Sequence, residues 1–176
     1  MAPAPLVWEF IVAGADCRWA LAHVVTQPEV QNKLYREVVG VERGFVPDES
    51  LRSTPYLRAV VLECLRMHPT VPLVVGNNGT TRFAVMASDI GRNGKAWMDP
   101  DVFRPERFLG PRRIGDQDDA FRCRKEALSR GRYGHSSHCF AWTPSAESGG
   151  AVHFEELDVF FKVMKTPLKV RIASRR

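Results

Sequence analysis

No apolar run in the sequence approaches the roughly 20 residues that a membrane-spanning helix requires. The longest such region near the start, Ala4 to Val12, is interrupted by Glu9 and followed by Asp16. The basic start and small-residue cleavage pattern of a secretory signal are missing as well, so the chain taken alone reads as soluble. Cysteine is scarce: Cys17, Cys64, Cys123 and Cys139 show no paired spacing, and the first two fall in apolar, helical surroundings. This argues against a disulfide framework and fits a reducing compartment. Concentrated positive charge is lacking too. The net charge is +5, but the basic residues are spread out, with short clusters only at Arg122 to Lys125 and Arg175-Arg176, so no nucleic-acid partner is expected. What remains is 176 residues, 44% hydrophobic and 26% charged, enough for one domain with a real core.

Residues 7 to 25 are dense in Val, Ile, Leu, Ala and Trp and predict a buried helix, although Gly14 within it costs about 1 kcal/mol relative to Ala. Such a glycine either weakens the helix assignment or marks a place where something approaches the backbone. Thr26, Pro28 and Glu29 form a capping-box pattern for a second helix. In that helix Val30, Leu34 and Val38 make an apolar stripe, Gln31, Lys33 and Arg36 face outward, and Gly40 marks the end. Pro55 opens a third helix that Pro69 stops after His68. Short strands are expected at Val71 to Val75 and Thr80 to Met86, with Gly76-Asn77-Asn78-Gly79 as their turn. A compact, Pro-rich loop surrounds Val102 and Phe103. Residues 111 to 150 lose periodicity apart from a short helical pattern at Phe121 to Ser129, and strand patterns return at Leu157 to Met164 and Leu168 to Ile172. The order predicts an α+β fold, mostly α, without internal repeats. It divides into a helical part (1–110), a divergent, poorly ordered segment (111–150) and C-terminal strands (151–176).

The third helix poses a problem of charge. In Val61-Leu62-Glu63-Cys64-Leu65-Arg66-Met67-His68-Pro69, a Glu and an Arg share one face of a helix that is apolar almost all round. An exposed pair would contribute a few tenths of a kcal/mol, but so apolar a helix has little exposed face left. Buried ions need further partners to offset their desolvation, and Arg107, in Pro105-Glu106-Arg107-Phe108, is the best candidate. His23 and His68 read as satisfied helix-end or core residues.

These residues resemble a known family. Glu63-x-x-Arg66 followed by Pro105-Glu106-Arg107-Phe108 looks like the Glu-x-x-Arg helix and Pro-Glu-Arg-Phe loop of the cytochrome P-450 superfamily, the haem-thiolate monooxygenases. The resemblance implies that Glu63, Arg66 and Arg107 are scaffold, a buried network locking helix to loop behind the haem. Glu9 to Asp16 is similar to the start of the long helix that crosses above the haem. Gly14 would then face the haem and oxygen, and Asp16 would serve a proton-delivery relay. Phe83 to Leu109 matches closely, and Phe154 to Ile172 resembles the C-terminal strands of plant microsomal members. The implied fold is the C-terminal part of the family's, incomplete, with its central long helix, Glu-x-x-Arg helix and small β-sheets. The implied cofactor is haem, and the implied partners are a flavoprotein NADPH reductase and an apolar small-molecule substrate. The endoplasmic reticulum membrane is the family's location, though the N-terminal helices and the anchor are missing here.

The family's ligand loop, Phe-x-x-Gly-x-Arg-x-Cys-x-Gly, supplies the thiolate for the haem iron. Around Cys139 its other positions hold Arg132, His135, Ser137 and Ala141; around Cys123 they hold Asp116, Asp119, Phe121 and Lys125. Cys139 is the less improbable iron ligand, but Phe140 to Gly150 cannot make the helix that follows the ligand in the family, whose first amides help hold the thiolate. The region after Asp16 and the Val75 to Thr80 turn are shortened too. Cys123, His135, His138 and Cys139 do not have the spacing of a structural zinc site. Two functions from different classes follow: a haem-dependent monooxygenase, and a non-catalytic remnant of one.

Overall fold

The computed structural model describes residues 17–39, 54–69, 73–77, 82–110, 140–158 and 162–175. Residues 17–26 are helical (α1), and α2 (Pro28–Val39) follows after a break at Gln27. Helix α3 spans Pro55–Met67, and β1 (Leu73–Asn77), β2 (Arg82–Met86) and the short α4 (Ala87–Gly91) come next. Pro105–Phe108 form a 3₁₀ turn. Strands β3 (Phe140–Pro144), β4 (Glu156–Asp158), β5 (Lys162–Met164) and β6 (Val170–Ser174) complete the described elements. Each strand belongs to a two-stranded antiparallel sheet: β1 with β2, β3 with β6 and β4 with β5.

One apolar core organises the helices. On α3, Tyr56, Val60, Cys64 and Met67 recur at helical spacing and bury a single stripe. Trp19 and Ala22 of α1, Val30 of α2, Phe103 of the loop and Met164 of β5 close over that stripe. The opposite face of α3 is not left to water, because the 3₁₀ turn and α4 pack against it. That is why Glu63 and Arg66 are buried as fully as their apolar neighbours, each with 0% of its surface exposed.

Several sequence expectations shift in the folded chain. Thr26 does not cap α2: its hydroxyl donates backward to the Ala22 and His23 carbonyls, 3.0 Å each, and ends α1 instead. Gln31, expected outward, is buried, because β3 arrives from far along the chain to cover it. Its side-chain amide exchanges hydrogen bonds of 2.9 Å with both the N–H and the C=O of Trp142, as a neighbouring strand would. Strand β1 runs through Gly76 and Asn77, extending the hairpin into the assigned turn, while Val71 and Pro72 lie outside the described residues. The single strand expected at Leu157 to Met164 is the β4–β5 pair. Phe140-Ala141-Trp142, which resembles a strand of the family, does lie in a strand, β3, and a 3₁₀ turn at Ala146–Ser148 follows it within the segment read as unpatterned. Gly14, Asp16, Cys123, Cys139 and the helical pattern at 121–129 lie outside the described residues.

Helix α3 is capped from another helix. Thr54 makes no side-chain cap, and Glu37 of α2 instead accepts from the backbone N–H of Tyr56 (2.7 Å) and of Leu57 (2.8 Å). A carboxylate at this end satisfies orphan donors and complements the helix dipole. Glu37→Ala should therefore destabilise the fold by about 1 kcal/mol, within the range for lost N-caps, while Glu37→Gln loses less. Urea unfolding of the variants measures this as a shift in midpoint at unchanged slope.

Candidate functional site

The centre of the site is one carboxylate. Glu63 Oε2 accepts from Arg66 Nε at 2.8 Å, and Oε1 accepts from the second arm of the same guanidinium, also at 2.8 Å. This is the bidentate geometry that makes Arg–carboxylate pairs strong. Oε1 further accepts from Arg107 Nε at 3.1 Å and from the backbone N–H of Arg104 at 2.8 Å. The structure thus brings Glu63, Arg66 and Arg107 together across more than forty residues of chain.

One negative charge does not neutralise two positive ones, and the remainder falls on backbone dipoles. Arg66 donates to the carbonyls of Gly91, Pro100 (2.8 Å) and Val102 (3.5 Å). Arg107 donates to those of Met98 (2.9 Å), Asp99 (3.2 Å) and Val102 (3.1 Å). The Trp97 ring lies near both guanidiniums, 5.3 Å from Arg66 and 5.9 Å from Arg107, where its π face favours cations. Trp97 is itself held by a 3.2 Å hydrogen bond from its indole N–H to the Ile90 carbonyl. Gly91 permits this packing, since a Cβ there would overlap the Arg66 carbonyl oxygen. Trp97 and the carbonyl ring were not legible in advance. The clue was the aromatic within a Pro-rich loop, but no sequence pattern reports where carbonyls point.

A second polar cluster crosses the core. His23 Nε2 and His68 Nε2 lie 3.0 Å apart, and His68 Nδ1 lies 3.0 Å from Glu156 Oε1. Lys162 donates to Glu156 Oε2 at 2.6 Å, and Arg92 stands 3.7 Å from Oε1. Burial, then the neighbouring His68, Arg92 and Arg66, holds His23 down to about 3. The hydrogen bond from His68, opposed by burial and aided by Lys162, holds the Glu156 carboxyl at about 2. His68 is also lowered, burial outweighing Glu156.

A model of the cytochrome P450 family matches residues 6–122. The chain belongs to this family. It is 32% identical to cytochrome P450 98A8 of Arabidopsis thaliana over 97% of this chain and 41% of that protein. It is 31% identical to pluviatolide synthase of Podophyllum peltatum over 93% of this chain and 39% of that protein. Plant P450s are therefore its relatives, and the chain spans about two fifths of their length. A zebrafish cytochrome P450 solved with progesterone shares the fold, with a TM-score of 0.71 at 20% identity over 93% of this chain and 42% of that one. The alignment with the Arabidopsis relative runs to 206 positions, more than the 176 residues present here, so that relative carries internal residues that this P450 chain lacks.

Haem in a P450 needs an axial thiolate, and the described residues do not offer one. Cys64 is buried in the core cluster of α3, and Cys17 stands at the first described turn of α1. No group of three or more His, Cys, Asp or Glu able to hold a metal occurs among the described residues. They therefore do not fit the cofactor by themselves, and Cys139 is outside them. No helix among the described residues is long and apolar enough to cross a membrane.

The network makes a sharp stability prediction. Glu63→Gln leaves two buried or partly buried guanidiniums without their carboxylate and should destabilise the chain by about 3–5 kcal/mol, the range for breaking a buried pair. Arg107→Lys keeps the charge but cannot reproduce the forked donation to Glu63, Met98, Asp99 and Val102, and should cost less than Glu63→Gln. Thermal unfolding monitored by circular dichroism ranks the two.

Proposed function

We propose that this chain carries the frame of a haem-dependent monooxygenase, an oxidoreductase that acts on paired donors and incorporates molecular oxygen. The observation that carries the reading is the closed Glu63–Arg66–Arg107 network, which ties α3 to the Pro105–Phe108 turn in a chain of the P450 family. Its chemistry supports a scaffold role: every polar group in it is engaged with another, and none is left to act as base or nucleophile. In this reading Gly14 faces the haem and oxygen, Asp16 assists proton delivery, and Cys139 is the thiolate donor. Haem would supply oxygen activation, with electrons from a flavoprotein NADPH reductase and an apolar small molecule as acceptor of the oxygen atom. The division into a helical part (1–110), a linking segment (111–150) and C-terminal strands (151–176) belongs to the same proposal.

A second reading has its own observation. Around Cys139 the positions that hold Phe, Gly, Arg and Gly in the family's ligand loop are Arg132, His135, Ser137 and Ala141. Without a glycine to turn the backbone or a helix start to stabilise the thiolate, the sulfur has little to keep it ionised. On that ground the chain is a non-catalytic remnant that keeps the fold of its family without the reaction.

Haem reconstitution separates the two. If the first reading holds, the reduced, carbon-monoxide-treated protein shows a thiolate-type difference band that Cys139→Ser abolishes while circular dichroism stays unchanged. Absence of that band in the wild type overturns the monooxygenase reading and leaves the remnant.

A further inference from the structure

The His23–His68–Glu156 cluster is built from three separate parts of the fold and serves no role in the network around Glu63. His23 comes from α1, His68 caps the C-terminal end of α3, and Glu156 opens β4. Both imidazoles are buried, His23 at 6% and His68 at 2% exposure. They are held flat: the Trp19 ring stacks on His68 with centroids 4.0 Å apart and 1° between planes, and Phe103 stacks on His23 at 4.0 Å and 6°. Phe154 closes the remaining side, 4.6 Å from His23. Neither ring can turn away from its partner without disturbing these stacks.

Their protonation states follow from the bonds. The ionised Glu156 can only accept, so His68 Nδ1 carries the hydrogen and donates it. In a neutral ring the other nitrogen is then an acceptor, which assigns the hydrogen between the rings to His23 Nε2. One added proton can be accommodated at His68 Nε2, provided His23 moves its own hydrogen to Nδ1 and accepts instead. His68 is then an imidazolium between a carboxylate and a lone pair. A second proton cannot be accommodated in place, because both Nε2 atoms would carry hydrogens facing each other at 3.0 Å.

We propose that this cluster is a proton-operated latch: it holds the β4–β5 hairpin against α1 and α3 with none or one added proton, and lets the hairpin go when a second arrives. Among the described residues, the hairpin has three further attachments to the helices and the core. Trp19 donates to the Lys162 carbonyl at 3.3 Å, Arg92 stands beside Glu156, and Met164 enters the core. The charged groups around the rings are Arg66 of α3, Arg92 after α4, Glu156 of β4 and Lys162 of β5. Apart from Glu156 they are all cations, so they oppose the second proton.

The sign of the pH dependence follows. His23 is ordinarily half-protonated at 6.5, but in the fold only at about 3, so between these values the released state binds more protons than the latched one. The latch is at full strength above pH 6.5 and weakens as pH falls toward 3. Glu156, held at about 2 against an ordinary 4.5, adds a loss that begins only below 4.5.

The test is a pH titration of the full chain by NMR, following both imidazoles and the amides of Glu156, Lys162 and Met164. His68 should take its proton first, with the hairpin amides unmoved, and His23 should take its own only as those amides shift together while α3 amides keep their positions. His23→Phe, which keeps the stack on Phe103 and removes the second proton site, should move hairpin release to lower pH by about one unit. The proposal fails if His23 titrates near 6.5 with the hairpin still docked, or if hairpin and helices are lost in one step. It also fails if His23→Phe releases at the wild-type pH, and where that variant does not fold, the wild-type titration decides alone.

Discussion

The carboxylate of Glu63 accepts from Arg66 on its own helix, from Arg107 in the following loop and from the backbone of Arg104. Desolvating these ions is expensive, and their mutual attraction offsets it only if the remaining donors are satisfied. That requirement dictates the course of residues 91–107. The loop must bring the carbonyls of Gly91, Met98, Asp99, Pro100 and Val102 to the guanidiniums, and Trp97 to their side. An irregular segment without strands thereby has five of its carbonyls engaged by the two guanidiniums. The placement of Phe103 in the core, and so of the stack on His23, follows from the same path.

From this centre the other attachments spread outward in order of burial. Tyr56, one end of the buried stripe on α3, donates its hydroxyl to Glu106 at 3.0 Å, and Lys33 of α2 reaches the same oxygen at 2.6 Å. Accepting Lys33 and Tyr56 together, Glu106 links α2, α3 and the 3₁₀ turn at their rim. This contact is half exposed and adds little energy, because water and salt screen it. Its value is positional: it fixes α2 at the angle from which Glu37 caps α3.

What could be read from the sequence was set by how local each cause is. Pro55 and Pro69 bracket α3, and the apolar residues between them leave little exposed face for Glu63 and Arg66, so the buried pair and its need for a third partner were legible. Gln31 was misassigned because its local pattern is that of a surface residue; the strand that buries it lies 111 positions away. Thr26 carried a cap signature, but a hydroxyl at a helix end can donate backward to carbonyls as readily as accept forward from N–H groups, and here the Ala22 and His23 carbonyls prevail. The histidine pair was visible only as two residues in apolar surroundings. Its meaning depends on Glu156, 88 positions beyond His68, which no spacing could connect.

The network's closure bears on what it can testify to. Among the described residues, every hydrogen-bond acceptor of Arg66 and Arg107 lies between Glu63 and Val102, so there the ions are compensated within one continuous stretch of chain. That compensation is made by one carboxylate, backbone carbonyls and the Trp97 ring. Partners this close in sequence let the buried ions be satisfied by the folding of residues 63–107 alone. Because the cause is that local, the Glu63-x-x-Arg66 helix and the Pro105-Glu106-Arg107-Phe108 turn are readable as a pair from the sequence, and the buried cluster they form answers to folding and not to reaction.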